Sequence, residues 1–359
     1  MIKIAIDCRL IGQSGIGTYI ENIVHYAVNR NDVQFTLIGN STSLEQYTDR
    51  GNCRIVECDY RPFSWKELFC FPTTEVNQCN AFYTPNFNIP MGIRVPVFST
   101  IHDVVFFDIK GLCSPIGKVI RYVFMRRALN LSATTFTVSQ FSESRIRDIF
   151  RPKCPIVFAY NGISHNLIEY KEAHAQDQII PDDNFVFLGN LKKHKGITTL
   201  LNAFHLAKQQ GLDNTKLIII GNIDFRTKDD EAIRLLHEAG EDIVCIRNAT
   251  NEEVYRLMAS ARAFISPSLY EGFGLPPLEA MYLGTPAIIS DIPVYKEVYT
   301  ESPATFFQTG NAADLAVKMQ QAKNDRVEIC ATVSEKYDYK SVSDVIMTTI
   351  ANYVNSTTP

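Results

Sequence analysis

The sequence has no excess of positive charge, no paired-cysteine motif and no long apolar run. Its formal net charge of −4 and pI near 6.0 lack the basic field that carries affinity for nucleic acid. Its nine cysteines form no C-x-x-C pair and no zinc-like Cys/His spacing, which favours free thiols in a reducing compartment. No run approaches the ~18 apolar residues that cross a bilayer, and "MIKIAIDCRL" starts a strand pattern instead of a signal peptide. We therefore expect a cytoplasmic protein without a nucleic-acid partner.

Short runs rich in β-branched and aromatic residues recur along the chain, separated by longer stretches of helical periodicity. This alternation is typical of a parallel sheet covered by crossover helices. The predicted strands are residues 2–7, 35–39, 54–58, 81–85, 95–103, 134–139, 155–160, 184–190, 215–221, 242–248, 263–268, 285–291 and 304–308. We predict an α/β protein with two Rossmann-like, doubly wound domains.

The stretch "EYKEAHAQDQIIPDDN", residues 169–184, separates the two halves. It is polar and acidic, contains a proline and has no apolar periodicity, so we interpret it as the linker. The predicted domains are residues 1–168 and 180–335, followed by a helical segment at 336–359. Ligands of such folds bind beyond the carboxyl ends of strands, and polar residues directly after strands are therefore the candidates for a site.

Two such candidates lie in the first half. Gly15 and Gly17 precede an amphipathic helix, where glycine exposes backbone N–H groups to an anion, and an ordinary turn is the alternative. The loop lacks the third glycine of the dinucleotide-binding fingerprint. His102 and Asp103 end the fifth predicted strand between apolar neighbours, and a structural histidine is the alternative there.

In the second half, the turn "GNLKKHKG" carries Lys192, Lys193 and Lys195 where a helix is expected to begin, near Gly196. Three lysines at a helix N-terminus oppose its dipole, so a bound anion would relieve the repulsion. A solvated loop is the alternative. The order of a P-loop is absent.

The stretch "SPSLYEGFGLPPLEAMYLG" sets two carboxylates among apolar residues. Glu271 falls in a glycine-rich turn after a buried strand, and Glu279 is expected in the first turn of the next helix. Carboxylates accept hydrogen bonds and suit paired hydroxyls, such as those of a ribose or a hexose. A favourable charge at a helix start is the alternative for Glu279.

Residues 270–298, "YEGFGLPPLEAMYLGTPAIISDIPVYKEV", resemble the E-x7-E signature of the retaining, nucleotide-sugar-dependent glycosyltransferases of the GT-B fold, family 4, group 1. Similar segments occur in the expected order at "GIGTYI", "TIHDVVF", "YNGIS" and "GNLKKHKG". The resemblance implies two domains that face a central cleft. The first would be on the acceptor side, the second would bind the nucleotide sugar, and the C-terminal helix would cross back to the first.

The resemblance also implies roles for individual residues. Glu279 would hold the ribose hydroxyls, Glu271 the transferred sugar, and Lys195 the diphosphate. The implied catalytic residues are Glu271, Lys195 and His102. The implied donor-binding residues are Asn190, Lys195, Glu271, Gly272, Phe273, Gly274, Leu275 and Glu279, and the loop on the acceptor and phosphate side comprises Gly15, Gly17 and Asp103. Asn190 departs from the pattern, because many relatives carry arginine there.

The implied activity is transfer of a hexose, mannose-like or related, from a nucleotide diphosphate sugar to an acceptor hydroxyl, with retention. The acceptor would be a glycan or a lipid-linked glycan in cell-envelope polysaccharide synthesis, such as that of lipopolysaccharide. No Asp-x-Asp follows an apolar strand, so we expect no metal and no cofactor besides the donor. A two-lobed nucleotide-sugar epimerase and a non-catalytic sugar-binding protein are the alternatives.

One further segment suggests where the protein works. "GKVIRYVFMRRALN", residues 117–130, mixes basic and apolar residues as a membrane-surface helix does, which favours the inner face of a membrane. A core helix with a solvated basic face is the alternative.

Overall fold

The structure is a computed structural model that describes residues 1–13, 15–221, 230–238, 240–329 and 331–357. The chain divides into two compact units. Unit 1 comprises Met1–Val104, Ser114–Ser164 and Tyr337–Pro359, and unit 2 comprises Val105–Cys113 and His165–Lys336.

Each of the predicted strand runs overlaps a strand. In unit 1 the strands are β1 (Ile2–Asp7), β2 (Val33–Gly39), β3 (Cys53–Glu57), β4 (Ala81–Thr84), β5 (Val97–Thr100), β6 (Ser132–Thr137) and β7 (Ile156–Phe158). In unit 2 they are β8 (Phe185–Leu188), β9 (Leu217–Ile220), β10 (Ile243–Ile246), β11 (Ala263–Ser266), β12 (Ala287–Ser290) and β13 (Thr305–Phe307).

Helices connect nearly all of these strands. In chain order they are α1 (Gly15–Ala27), α2 (Trp65–Cys70), α3 (Thr73–Val76), α4 (Val105–Asp108), α5 (Pro115–Leu131), α6 (Gln140–Phe150), α7 (His165–Ala173), α8 (Ile197–Gln209), α9 (Asp230–Glu238), α10 (Asn251–Ser260), α11 (Leu275–Tyr282), α12 (Pro293–Tyr299), α13 (Ala312–Gln321), α14 (Ala331–Lys336) and α15 (Tyr339–Thr357). Short 3₁₀ turns lie at Glu45–Tyr47, Lys193–Lys195 and Gly240–Asp242.

Each unit contains one parallel sheet with a reversal of strand order at its centre. The order is β3-β2-β1-β4-β5-β6-β7 in unit 1 and β10-β9-β8-β11-β12-β13 in unit 2. Ligands of open α/β sheets bind beyond the carboxyl ends of the strands at this reversal, which here means after β1 and β4 in unit 1 and after β8 and β11 in unit 2. The predicted α/β class with two doubly wound sheets is confirmed.

The sheets are buried because most of their strands are rich in apolar residues. All four residues of β4, β5, β9, β11 and β12 are buried, as expected for parallel strands covered on both faces. The last helix, α15, packs on α1 within unit 1: the Ser343 hydroxyl donates to the Ile23 carbonyl at 2.9 Å, and the Tyr19 and Tyr339 rings meet edge to face at 6.0 Å.

Three local predictions need correction. Residues 169–184, interpreted as an irregular linker, begin inside α7, which is polar enough to show little apolar periodicity. Gly15 and Gly17 do not precede α1 but lie in its first turn. The stretch "TVSQFSESRI" predicts a helix start with Ser142 as its N-cap, but the helix after β6 is capped by Ser139, whose side chain accepts a hydrogen bond from the Ser142 N–H.

Gly17 lies where a loop passes close to the start of α1, and we predict that it tolerates no side chain. A Cβ at Gly17 would lie 2.1 Å from the Leu10 carbonyl oxygen, whereas a Cβ at Gly15 would meet no described atom within 4 Å. Gly17→Ala should therefore lower the free energy of unfolding by ~1–3 kcal/mol. The matched control Gly15→Ala should leave it unchanged or raise it by up to ~1 kcal/mol. Equal denaturant midpoints for the two variants would contradict this assignment.

Candidate active site

The loops that follow β8 and β11 touch each other in unit 2. Gly196 caps α8 with a left-handed φ of +68°, and a Cβ there would lie 2.0 Å from the Pro267 carbonyl oxygen. The Leu269 N–H also donates to the His194 carbonyl at 2.8 Å. These backbone contacts hold the lysine-bearing turn against the glutamate-bearing turn.

The contact brings Lys195 and Glu271 together. The Lys195 Nζ lies 2.7 Å from Glu271 Oε1, and the Ser268 hydroxyl donates to the same oxygen at 2.7 Å. Burial by itself would raise the pKa of Glu271, but the Lys195 charge, the two hydrogen bonds and His194 together hold that pKa below its usual value. Glu271 is therefore an ionised carboxylate at neutral pH.

The loop from Gly272 to Leu275 is fixed by helix α12. The Tyr299 hydroxyl donates to the Gly274 carbonyl. Gly274 itself has a φ of +87°, and a Cβ there would lie 2.3 Å from the Tyr295 ring. This loop leads directly into the N-terminus of α11 through Phe273, Gly274 and Leu275. Backbone N–H groups and the helix dipole favour an anion there.

Glu279 differs from Glu271 because nothing described pairs with it. It lies in the second turn of α11, since the helix begins at Leu275, so the prediction of a first-turn position was wrong. Its side chain receives no hydrogen bond and no ion pair from any residue that the structure describes, and it is only 9% exposed. Burial raises the pKa of Glu279 to about 7.

Asn190 and the other two lysines are arranged more loosely. Asn190 is exposed. It follows Gly189, whose carbonyl oxygen would lie 2.2 Å from a Cβ at Gly221, the residue after β9. Lys193 is exposed and Lys192 half-buried, whereas Lys195 alone of the three forms the ion pair described above. The structure thus distinguishes lysines that the sequence pattern left equivalent.

His102 and Asp103 follow β5 in unit 1. The His102 Nε2 lies 2.9 Å from the Pro85 carbonyl, and its ring packs edge-on against Tyr19 at 4.8 Å. Burial lowers the pKa of His102 to about 4, so the ring is neutral at pH 7. A neutral ring that donates Nε2–H to Pro85 presents Nδ1 as a hydrogen-bond acceptor. Asp103 is half-buried directly after it.

A buried ionic cluster at the carboxyl end of β1 was not predicted. Arg9 binds both carboxylate oxygens of Asp7 at 2.8 Å and reaches Glu67 Oε1 at 2.7 Å. Burial raises the pKa of Glu67 to about 7 in spite of this cation. Asn88 also donates to Glu67, and Asp7 accepts from the Thr84 hydroxyl at 3.1 Å. The only sequence signal was the charge of Asp7 and Arg9 directly after an apolar strand.

The described residues contain neither a metal-binding cluster nor a membrane-spanning helix. No group of three or more His, Cys, Asp and Glu side chains in that part of the chain is arranged to hold a metal ion. Within the same ranges, no helix is long and apolar enough to cross a membrane.

Unit 2 is similar in sequence to a known family of glycosyl transferases. Residues 170–338 match the family described as "Glycosyl transferases group 1". The chain is 30% identical over 230 residues to the O-antigen chain mannosyltransferase B of Escherichia coli, a match that spans 60% of this chain and 58% of that protein. It is 24% identical over 282 residues to the E. coli O-antigen biosynthesis glycosyltransferase WclY, with 74% of this chain and 73% of that protein covered.

The first curated relatives are matched over little more than half of their length, between 52% and 58%. Solved structures show the same architecture over nearly the whole chain. Anabaena Alr3699/HepE in complex with UDP and glucose superposes with a TM-score of 0.70 at 16% identity, covering 98% of this chain and all of that one. The sucrose-phosphate synthase of Thermosynechococcus elongatus gives 0.71 at 16% identity, with both chains fully covered. The predicted GT-B fold is confirmed.

The raised pKa of Glu279 predicts a specific dependence of stability on pH. Between its usual pKa of 4.5 and about 7, the folded protein keeps a proton that the unfolded chain releases, so the free energy of unfolding falls as pH rises through this window. Glu279→Gln removes that effect. The variant should match wild type at pH 4 and exceed its stability by up to ~3 kcal/mol at pH 8.

Denaturant unfolding at several pH values measures this difference. Because Glu67 titrates in both proteins, its contribution cancels in the comparison. A wild-type-minus-variant curve that stays flat from pH 4 to pH 8 would show that Glu279 has an ordinary pKa.

Proposed function

We propose that this chain is a member of the group 1 glycosyl transferases, which residues 170–338 resemble, and that it transfers a hexose from a nucleotide diphosphate sugar to an acceptor hydroxyl. The observation that carries the proposal is the pairing of two loops after β8 and β11, which sets the Lys195–Glu271 ion pair just ahead of the helix that bears Glu279. One short region thus combines the ammonium group of Lys195, the ionised carboxylate of Glu271 and the carboxylate of Glu279, which has no partner among the described residues.

Glu279 is suited to the ribose of the donor. A nearly buried carboxylate without a donor among the described residues is costly, and two neighbouring hydroxyls supply the missing hydrogen bonds. Because such bonds favour the ionised form, donor binding should lower the pKa of Glu279 and release a proton near pH 7.

Lys195 and Glu271 are suited to the reacting end of the donor. The reaction breaks the bond between the anomeric carbon and the diphosphate oxygen, and the electron pair leaves with the diphosphate. An ammonium has three N–H donors, so Lys195 can hold Glu271 and a phosphate oxygen together. Glu271, already ionised, accepts hydrogen bonds from the sugar hydroxyls and stabilises positive charge on the sugar.

The acceptor oxygen forms the new bond to the anomeric carbon, and its proton passes to the departing phosphate oxygen. We propose that configuration is retained, as in glycosyltransferase family 4, and that neither a metal ion nor a cofactor takes part. Lys195 and the N-terminus of α11 supply the positive charge for which other glycosyltransferases use a metal. His102, neutral with Nδ1 as an acceptor, would bind a sugar hydroxyl.

The proposed classes of sugar and acceptor are based on the names of the similar proteins. We propose a mannose-like or related hexose as the transferred sugar and a glycan, free or lipid-linked, as the acceptor, because the two E. coli relatives described above are named as O-antigen enzymes. Gly15 and Asp103, which lie beyond the carboxyl ends of strands in unit 1, would contribute to the acceptor side. The protein would work in the cytoplasm, at the inner face of the membrane.

The function is tested by following free nucleotide diphosphate. With GDP-mannose or UDP-glucose and a lipid-linked oligosaccharide fraction, we expect nucleotide diphosphate release that depends on the acceptor and continues in EDTA. An epimerase would convert the sugar without an acceptor and without release. A binding protein would bind the donor but release nothing. Activity lost in EDTA and restored by Mg²⁺ would refute the metal-free mechanism.

The distinction among the lysines gives a sharper test. Lys195→Ala should lower kcat by ~10²–10³-fold, since it removes the cation that stabilises the leaving diphosphate and leaves Glu271 without its partner. Lys193→Ala is the matched control, because its side chain is exposed in the same turn and should alter kcat less than about twofold. Product inhibition by the nucleotide diphosphate should weaken in the first variant only. Loss of activity in Lys193→Ala with a normal Lys195→Ala would mean that another lysine holds the phosphate.

A further inference from the structure

Helix α5 in unit 1 turns an apolar face away from the core. Its inner face carries Met125, Ala128 and Leu129, which are buried. On the opposite face lie four large apolar side chains at the helical spacing i, i+3, i+4 and i+7, and they are 51% to 74% exposed: Ile116, Val119, Ile120 and Val123. A surface helix of a globular protein normally places polar residues there, so this face is expected to have a partner.

A second exposed apolar group adjoins the first. It lies on α2 and the segments beside it, with exposures of 47% to 67%, and consists of Phe63, Trp65, Phe69 and Met91. Met91 connects the two groups: its N–H donates to the Leu68 carbonyl of α2 at 2.8 Å, and its sulfur lies 3.1 Å from the Arg127 guanidinium of α5. Eight of the fourteen exposed large apolar side chains in the described residues belong to these two groups.

The exposed charges within helices α5 and α2 have one sign. Helix α5 contains Lys118, Arg121, Arg126 and Arg127 and no acidic residue. In α2, Lys66 is exposed, and the one carboxylate, Glu67, is buried against Arg9 and does not offset the surface charge. By helical spacing, Arg126 and Arg127 lie beside the exposed stripe of α5, and we call the two apolar groups with Lys66, Arg126 and Arg127 the apolar-basic face.

We propose that the apolar-basic face docks on the surface of an anionic lipid bilayer. Apolar side chains flanked by lysine and arginine, with tryptophan and phenylalanine among them, are the composition of a helix that lies in the interface between headgroups and acyl chains. The exposed stripe from Ile116 to Val123 is only about 10 Å long, so it would lie along the bilayer and not cross it. A second copy of this chain is a poorer occupant, since a symmetric dimer would set two basic surfaces against each other.

The proposal does not rest on the proposed function, because it concerns a surface of unit 1 and can be measured without donor or acceptor. It adds to that function a physical reason for acting on acceptors that are held at a membrane. Bilayer contact would concentrate the enzyme on such acceptors without any new contact in the active site.

Vesicle flotation tests the proposal. We expect the protein to bind phosphatidylcholine vesicles that contain ~30% phosphatidylglycerol at least tenfold more tightly than vesicles of phosphatidylcholine alone, and binding should weaken as salt is added. The double variant Ile120→Glu/Val123→Glu should bind the anionic vesicles at least tenfold more weakly. Val345→Glu is the matched control, since Val345 is a 40% exposed apolar residue on α15 of the same unit, and it should bind within about twofold of wild type.

Equal affinity for the two kinds of vesicle, no binding to either, or wild-type binding by the double variant would each overturn the proposal. A concentration-dependent dimer in sedimentation velocity that the double variant abolishes would also overturn it and assign the face to a second copy. Release of nucleotide diphosphate with a detergent-solubilised acceptor should be unchanged in the double variant. That readout separates failure of bilayer binding from failure of the glycosyltransferase assignment.

Discussion

The candidate site depends on the close backbone contact between the loops that follow β8 and β11. Gly196 can approach the Pro267 carbonyl because it has no Cβ, and this approach lets Lys195 reach Glu271 at 2.7 Å. Without these partners, burial would raise the pKa of Glu271, as it does that of Glu279. The cation and the Ser268 hydroxyl reverse the effect of burial, so the backbone contact is what makes a charged side chain stable at this position.

The two glutamates show how neighbouring residues acquire different chemistry from their surroundings. Glu271 is held ionised by partners within the protein, while Glu279, eight residues later, has burial without compensation and a pKa of about 7. Pairs of acids whose environments separate their pKa values are typical of functional sites. Here Glu271 has its hydrogen-bond donors within the protein. Glu279 has none among the described residues, and a ligand with paired hydroxyls could supply them.

Features that depend on residues close together in the chain could be predicted from the sequence, whereas features that depend on residues far apart could not. Strands were found because buried parallel strands are continuous apolar runs, and the loop carrying Glu271 was found because glycine and charge follow such a run. The turn in which Glu279 lies was misjudged because Pro276 and Pro277 indicate a helix start without fixing its first residue. The pairing of Arg9 with Glu67 joins residues 58 positions apart, and no local pattern indicates it.

The orientation of helix α5 could not be predicted from its local sequence either. Its sequence carries apolar residues on two opposite sides, with Met125 and Leu129 on one and Ile116 and Val123 on the other, so periodicity cannot tell which side faces the sheet. Only the fold decides, and it buries the side with Met125. The remaining apolar face was therefore not selected by the core of unit 1. Since exposed Ile and Val contribute nothing to that core, their presence on the surface supports the proposed contact of this helix with a bilayer.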